Sequence, residues 1–262
     1  ASEDTIYGQF GYGQASLSAN IDVAKQHTAF ASPFESRAEF QILDEAAAVE
    51  PMSAVYDRVR RESPGMSARG ADWWRFRRLA DPENRRHGGG VLNRVVMYHD
   101  GVPQGYALYR VHQQFHAGST VGFVNVIEAV GATNEATRDI WRFVFDIDWV
   151  SRIKAIILPI DHPLLMLMAK PRELKFMVHD GVWVRLVDVA AALAVRKLHH
   201  GDPLVVQITD AFCPWNPGRW RLSSAGAERT KQNAELECDV TALGSAYLGG
   251  FSFRQMASAG RV

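Results

Sequence analysis

The sequence of 262 residues has little cysteine, no excess of either charge and no long apolar run. Its two cysteines, Cys213 and Cys238, belong to no Cys-x-x-Cys pair and to no spaced histidine cluster, so the sequence predicts no metal site. A disulfide between them stays open, and two buried free thiols are the favoured interpretation. Basic and acidic residues both number 29, which removes the electrostatic argument for a nucleic-acid partner.

The longest apolar stretch, near Ala155–Ile160, is far too short to cross a bilayer. No basic segment followed by an apolar core opens the chain, so the sequence predicts neither a membrane span nor a secretion signal. We expect a reducing, cytoplasmic setting. The first residue is Ala1, and the opening is typical of a sequence cut from a longer one.

The spacing of apolar residues predicts an α+β fold, because two helices, three antiparallel strands, a helix and a strand follow in that order. Helices are expected near residues 46–61, 72–79, 134–145, 163–169, 190–198 and 240–248. Strands are expected near residues 15–21, 38–42, 91–99, 106–115, 120–130, 155–160, 204–209, 219–222 and 235–238.

Two His-Asp-Gly triplets and one glycine-rich segment predict the local turns. His99-Asp100-Gly101 and His179-Asp180-Gly181 each predict a hairpin turn, and that turn chemistry explains them better than an acid–base pair. Ile6–Gly13 is too rich in glycine for a helix or a regular strand, so a shaped loop is expected there.

The most informative segment is Ser2–Tyr12, whose sequence is Ser-Glu-Asp-Thr-Ile-Tyr-Gly-Gln-Phe-Gly-Tyr. It resembles the Tyr-x-x-x-Gly-Phe/Tyr signature at the end of the GNAT core of N-acetyltransferases, in the form used by the enhanced intracellular survival (Eis) family. Three further segments are similar to sequences of the same family. They are Asp180–Val189, Tyr247-Leu248-Gly249-Gly250 and Ala259-Gly260-Arg261. The resemblance runs nearly from end to end of the chain.

The resemblance implies a chain with three parts. Residues 1–30 would be the remnant of a first, catalytic GNAT domain. Residues 31–182 would be a second, GNAT-like domain with a mixed sheet and no cofactor loop, because Gly131–Thr137 holds one glycine and the acidic Glu135. Residues 183–262 would be a sterol-carrier-protein-like α/β domain, truncated at its C-terminus.

The resemblance also implies acetyl transfer from acetyl-CoA to primary amines of cationic substrates such as aminoglycosides, by a homo-hexamer. In acetyl transfer the leaving thiolate needs a proton, which a nearby tyrosine hydroxyl can supply. By position, Tyr7 matches the family's general acid, Ser2 and Glu3 match a strand end that touches CoA, and Trp74 matches an aromatic residue of the amine pocket.

Two departures from the family pattern predict that this chain alone is inactive. The pyrophosphate loop would precede Ala1, and the terminal carboxylate that serves as the family's base would follow Val262. Core packing is the alternative for Trp74 and its neighbour Trp73, since aromatic side chains bury large areas. A structural role is the alternative for Tyr7.

Other features favour structure over chemistry. His199-His200 fits a helix C-terminus better than a metal site, and Gly88-Gly89-Gly90 fits a surface loop better than a phosphate loop. The rival function is a non-enzymatic lipid-binding or assembly module built on the sterol-carrier-like domain, which the apolar segments at Leu204–Ile208 and Tyr247–Phe253 permit.

Overall fold

The computed structural model describes residues 4–63, 65–196 and 203–262. The chain divides into two compact units. The central unit is Ala19–Val178, and the two-segment unit joins the described residues up to Ser18 with His179–Val262. No helix within the described ranges is both long and apolar enough to cross a membrane.

Fifteen strands are described. They are β1 (Gly13–Gln14), β2 (Leu17–Ala24), β3 (Glu39–Ile42), β4 (Asn93–His99), β5 (Val102–His112), β6 (Phe115–His116), β7 (Ser119–Thr120), β8 (Phe123–Gly131), β9 (Arg152–Leu158), β10 (Met177–Asp180), β11 (Trp183–Val184), β12 (Leu204–Thr209), β13 (Gly218–Ser223), β14 (Gly226–Arg229) and β15 (Leu236–Asp239).

Seven α-helices are described, together with short 3-10 turns and one π-helical segment at Trp73–Leu79. The α-helices are α1 (Asp4–Gln9), α2 (Glu45–Glu62), α3 (Asn134–Asp146), α4 (Leu164–Leu167), α5 (Val189–Ala194), α6 (Val240–Tyr247) and α7 (Phe253–Ser258). The mixture of helices with parallel and antiparallel strands confirms the predicted α+β class.

The central unit contains a sheet whose strand order is β10-β2-β9-β8-β5-β4-β3. Side chains alternate between its two faces, as the period of a strand requires. On β4, Val95 and Met97 join the core cluster of helix α3, whereas Val96 joins the cluster of helix α2. The sheet therefore has a hydrophobic core on each face.

The β4–β5 hairpin confirms the turn predicted at His99-Asp100-Gly101. His99 pairs with Val102, and both residues between them have positive φ, 49° at Asp100 and 75° at Gly101. A two-residue turn of this hand matches the twist of the flanking strands.

The hairpin predicted around His179-Asp180-Gly181 is wrong. β10 lies next to β2 and β11 pairs with β1, so the two strands have different partners and do not form a hairpin with each other. Backbone partners this distant in sequence leave no local pattern, and the Asp-Gly turn signal alone misassigned them.

Strands β8 and β9 run parallel and then separate. They pair over four positions, from Phe123 with Arg152 to Val126 with Ala155, and β8 continues to Gly131 beside β5 alone. A Cβ atom on Gly131 would lie 2.3 Å from the Thr137 backbone nitrogen. Glycine at this position therefore allows the close approach of α3 to the end of β8.

The two-segment unit contains a four-stranded sheet in the order β14-β13-β12-β15, in which β12 and β15 are parallel. Val206, Trp220 and Leu243 belong to one hydrophobic cluster under this sheet. Strand β14 and helix α7 were not predicted from the sequence. Strands β1 and β11 pair with each other and pack on helix α6. Helix α1, which contains Tyr7, directly precedes β1 in the chain.

Candidate active site

Tyr7 lies in helix α1, at the start of a tight turn. The backbone nitrogens of Phe10 and Tyr12 both donate to the Tyr7 carbonyl oxygen, at 3.1 and 3.2 Å. Gly11 takes a φ of 76°, the left-handed conformation that glycine adopts at least cost. The expectation of a loop over Ile6–Gly13 is therefore wrong for its first half, because Gly8 is compatible with the helix and the chain turns at Gly11.

The half-buried ring of Tyr7 lies between two other aromatic rings. The Tyr12 ring meets it edge-on with centroids 5.8 Å apart, and the Trp183 ring stacks on it at 6.1 Å with 29° between the planes. We call Tyr7, Tyr12 and Trp183 the tyrosine cluster. Offset stacking and edge-to-face contacts are the favoured geometries of aromatic pairs.

Arg185, two residues after Trp183, lies beneath the turn. A Cβ atom on Gly11 would lie 3.0 Å from its guanidinium carbon and 2.9 Å from a Val240 methyl group. Gly11, the glycine of the Tyr-x-x-x-Gly-Tyr sequence, is thus required both by its backbone conformation and by the closeness of Arg185. The segment 183–185 therefore touches the turn at two places.

A buried ion pair holds Arg185 in place. Its Nη2 donates to both carboxylate oxygens of Asp210, at 2.9 and 2.7 Å, and the side chains are 5% and 1% exposed. Burial alone would raise the pKa of Asp210, but hydrogen bonds from Asn216, Arg185 and two backbone amides outweigh it and lower that pKa. The carboxylate is therefore kept ionised under the turn.

Close backbone contacts fix strand β1, which follows the turn. A Cβ atom on Gly13 would lie 2.0 Å from the Thr241 carbonyl oxygen, and one on Gly250 would lie 2.3 Å from the Ala15 carbonyl oxygen. Atoms cannot approach so closely, so glycine is needed at both positions. This accounts physically for the second glycine of the Tyr247-Leu248-Gly249-Gly250 text.

A cleft of about 420 Å³ opens beside the turn. Its wall on the turn side is formed by Gly8, Gln9 and Gly11, and the opposite wall by residues 209–212, 217 and 239–241. The rings of Phe10 and Phe212 meet edge to face at 5.7 Å. The cleft gives the tyrosine turn an open side toward solvent.

Trp74, the predicted wall of an amine pocket, lies in the core of the central unit. It is 1% exposed and meets the rings of Tyr56 and Tyr106 edge-on at 5.6 and 6.1 Å. Trp73 is more accessible, at 36%. Core packing accounts for Trp74 in this chain, and its contact with a substrate stays a prediction.

A buried carboxylate lies next to this tryptophan core. Glu128 accepts bidentate hydrogen bonds from Arg69 and Arg78, at 2.7–3.0 Å, and a further one from the Tyr106 hydroxyl at 3.0 Å. Although burial opposes ionisation, these hydrogen bonds lower the pKa of Glu128. The Arg69 guanidinium also lies 4.3 Å from the Trp73 ring centroid. This network was not found from the sequence.

Comparison with known proteins shows which protein families this chain resembles. A model of the acetyltransferase (GNAT) domain matches residues 65–186, and a model of the sterol carrier protein domain matches residues 189–262. N-acetyltransferase Eis from Mycobacterium tuberculosis is 30% identical over 286 residues, which cover 100% of this chain and 64% of that protein. The crystal structure of Eis1 from Mycobacterium abscessus matches with a TM-score of 0.79 and 33% identity, over 100% of this chain and 65% of that one.

Over its whole length the chain is homologous to Eis-family N-acetyltransferases. An uncharacterized N-acetyltransferase from Streptomyces coelicolor is 37% identical over 268 residues, again covering 100% of this chain and 64% of the relative. A probable N-acyltransferase from Enterococcus faecalis, at 20% identity and a TM-score of 0.78, shares the fold. The chain spans just under two thirds of the length of these relatives. The predicted GNAT-like and sterol-carrier-like parts of the Eis-type fold are confirmed.

Several predicted residues of this Eis homologue stay untested. Ser2, Glu3 and the His199-His200 pair lie outside the described residues. The division into a catalytic GNAT remnant (1–30), a second GNAT-like domain (31–182) and a sterol-carrier-like domain (183–262) also stays a prediction. Among the described residues no group of three or more His, Cys, Asp or Glu side chains is arranged to hold a metal ion.

One contact that sequence reasoning missed involves His99. Its Nε2 lies 2.9 Å from Oδ2 of the buried Asp139 on helix α3, so the imidazole donates to that carboxylate. His99 therefore combines a place in the turn with a hydrogen bond to a carboxylate 40 positions away in sequence. No local pattern could have shown this pairing.

Proposed function

We propose that the complete protein containing this chain transfers the acetyl group of acetyl-CoA to a primary amine of a cationic substrate such as an aminoglycoside. The observation that carries the proposal is the setting of Tyr7. It is a half-buried tyrosine whose neighbours Gly8 and Gln9 line an open cleft, and it occupies the tyrosine position of the Eis-like signature. Homology to proteins named N-acetyltransferases supports the reaction class.

The reaction forms a C–N bond and breaks a C–S bond. The amine lone pair attacks the thioester carbonyl carbon, and the electrons of the C–S bond stay on sulfur as it leaves. Tyr7 Oη donates its proton to this thiolate, as a general acid does. The proton lost by nitrogen goes to a carboxylate that the family resemblance assigns to a segment outside this chain, and exchange with water restores Tyr7.

Acetyl-CoA is a substrate in this scheme, and Tyr7 is the described residue that acts on it. We assign no acetyl-CoA site to the central unit. At the start of α3 the Thr133 hydroxyl already accepts from the Ala136 amide at 3.1 Å, and Gly131 packs directly against Thr137. The Ala136 amide and the space beside Gly131 are therefore taken up, which leaves this helix start poorly suited to a pyrophosphate.

We also propose a homo-hexamer in the cytoplasm as the working form, with the three-part division stated above. Both cysteines, Cys213 and Cys238, are buried free thiols, which suits a reducing compartment. The lipid-carrier alternative is not carried forward, because the buried apolar side chains of the sterol-carrier-like part, among them Val206, Trp220 and Leu243, pack on one another in one cluster.

The test is an acetyl-transfer assay on the complete gene product. We expect release of free CoA thiol from acetyl-CoA only when an amine is present, and an acetylated amine in the mass spectrum of the product. Aminoglycosides should react faster than an uncharged monoamine. Thiol release without an acetylated amine, or no reaction with any cationic amine, would contradict the proposed activity.

A further inference from the structure

The stacking contact between Trp183 and Tyr7 joins the predicted acid to a separate strand. Trp183 opens β11, which pairs with β1 in the register Gln14 with Trp183 and Gly13 with Val184. Its backbone is thereby fixed to the strand that directly follows the tyrosine turn. Its half-buried ring covers one face of the Tyr7 ring, and Tyr12 closes the edge.

A second bond fixes the Trp183 ring itself. The indole Nε1–H donates to Asp180 Oδ2 at 2.8 Å. An indole nitrogen has one hydrogen to donate and cannot accept, so this bond selects one orientation of the ring. The same bond lowers the pKa of Asp180, so that the acceptor is kept as a carboxylate. A hydrogen bond to a charged acceptor is stronger than one between neutral groups.

The whole arrangement constrains the position of a hydroxyl at the end of a long side chain. The Tyr7 hydroxyl moves with the ring, and its place is set by two side-chain torsions that the Trp183 and Tyr12 contacts restrict. A displacement of about 1 Å can cost on the order of 10²-fold in rate. If the Tyr7 hydroxyl is the acid, holding its ring on one face and at one edge should therefore increase the rate of acetyl transfer.

We propose that Trp183 is a positioning residue for Tyr7, and that Asp180 locks Trp183 in the orientation that does so. The inference rests on the proposed function, in which Tyr7 donates the proton to the leaving thiolate. Trp183 touches no reacting atom in this account. It acts through Tyr7 alone, and this distinguishes it from a residue that binds substrate.

The test uses Trp183→Leu and Trp183→Phe in the complete gene product. Trp183→Leu removes the stacking ring and should lower kcat by roughly 10- to 100-fold, with the KM for acetyl-CoA changed by less than about threefold. Trp183→Phe restores a flat ring and should recover most of kcat. Trp215→Leu is the matched control, since its indole also donates to an oxygen, that of Val187, at 2.8 Å. That control should keep full activity.

Two further variants keep the test decisive if Trp183→Leu folds poorly. Asp180→Leu removes the acceptor of the indole bond and should lower kcat, whereas Asp180→Asn retains an accepting oxygen and should stay within about threefold of the parent. In NMR spectra of selectively labelled tyrosine, the ring signals of Tyr7 should shift in Asp180→Leu and not in Trp215→Leu.

A double variant separates failure of this inference from failure of the proposed function. In the Tyr7→Phe background, Trp183→Leu should have no further effect on kcat, because the hydroxyl that it positions is gone. If Tyr7→Phe alone leaves kcat unchanged, the acid role that the proposed function gives to Tyr7 fails. If Tyr7→Phe lowers kcat and Trp183→Leu leaves it unchanged, only the positioning role is overturned. Additive losses would also overturn it.

Discussion

The tyrosine cluster of the two-segment unit and the tryptophan core of the central unit are built from the same kinds of contact and differ in access. Trp74 meets Tyr56 and Tyr106 edge-on in a core where it is 1% exposed. Tyr7 meets Tyr12 and Trp183 in a half-buried position beside a cleft. Similar aromatic packing thus serves stability in one unit and an accessible hydroxyl-bearing ring in the other.

A buried ion network accompanies each cluster, and the two networks also differ. Glu128 is shared by two arginines and a tyrosine hydroxyl, so its neighbourhood carries an excess of positive charge. Asp210 balances the single Arg185 and is completed by Asn216 and backbone amides. The first network packs among core side chains, whereas the second braces a turn that carries a candidate acid.

The largest expected effect comes from removing the buried Arg185–Asp210 ion pair beneath the tyrosine turn. Arg185→Met leaves Asp210 as a buried carboxylate without its ion partner, which typically costs about 3–5 kcal/mol of stability. Urea unfolding measures it. The matched control is Arg221→Met, since the Arg221–Glu228 pair is solvent-exposed and exposed pairs contribute roughly 0–1 kcal/mol. Equal losses in the two variants would contradict the bracing role.

Trp74→Ala tests the other half of the comparison. Deleting a fully buried tryptophan should cost roughly 3–5 kcal/mol through lost packing, measured as a drop in melting temperature. Trp73→Ala, at a more exposed position, should cost clearly less. An unchanged melting temperature together with a raised KM for bulky amines would show instead that Trp74 lines the amine pocket, as the family resemblance implies.

Acid should weaken the central unit through His162. Burial against Trp141 lowers the pKa of this imidazole to about 4, an effect that Asp161 partly offsets, and its Nδ1 accepts from the Leu164 amide. The His162 imidazole therefore takes up a proton near pH 6.5 in the unfolded chain, but only near pH 4 in the folded protein.

Stability should consequently fall as pH drops from about 6.5 to 4, by about 3 kcal/mol in total, and this contribution should level off below that range. His162→Asn keeps an acceptor for the Leu164 amide and carries no titrating group. Its urea-unfolding free energy should lose the corresponding part of the pH dependence. Identical pH profiles for parent and variant would exclude His162 as the cause.

The smallest expected effect concerns the strand that follows the turn. Gly13→Ala forces a methyl group to within 2.0 Å of the Thr241 carbonyl, so the backbone must shift. Overpacking of this kind costs about 1–3 kcal/mol. Gly8→Ala is the matched control, because nothing lies within 4 Å of its Cβ position. Thermal melting should separate the two variants, and the same melting temperature in both would contradict the close contact.

Much of the fold was predictable because periodicity and local turns determine it. Helix α3 and the β4–β5 hairpin follow from apolar spacing and from the Asp100-Gly101 pair. The wrong prediction of a hairpin around His179-Asp180-Gly181 has a long-range cause. The strand partners of β10 and β11 come from distant parts of the chain, and no local pattern distinguishes them from a hairpin.

The candidate site was predictable only in part, for the same reason. The sequence around Tyr7 pointed to this residue through a family signature, and its catalytic role stays a prediction. Arg185 and Asp210 are 25 positions apart and have no sequence pattern to join them. Asp180 and Trp183 are three positions apart, and their spacing could have suggested a bond, but the turn signal at Asp180-Gly181 dominated the interpretation.

The most direct test of the central claim is a single-turnover measurement of acetyl transfer with Tyr7→Phe in the complete gene product. With enzyme in excess over acetyl-CoA, the rate reports the chemical step instead of product release. We expect a rate lower by about 10²–10⁴-fold, the usual contribution of a general acid, with an unchanged melting temperature. Tyr12→Phe should lie within about tenfold of the parent. A Tyr7→Phe rate within about threefold of the parent would return Tyr7 to a structural role and contradict the account.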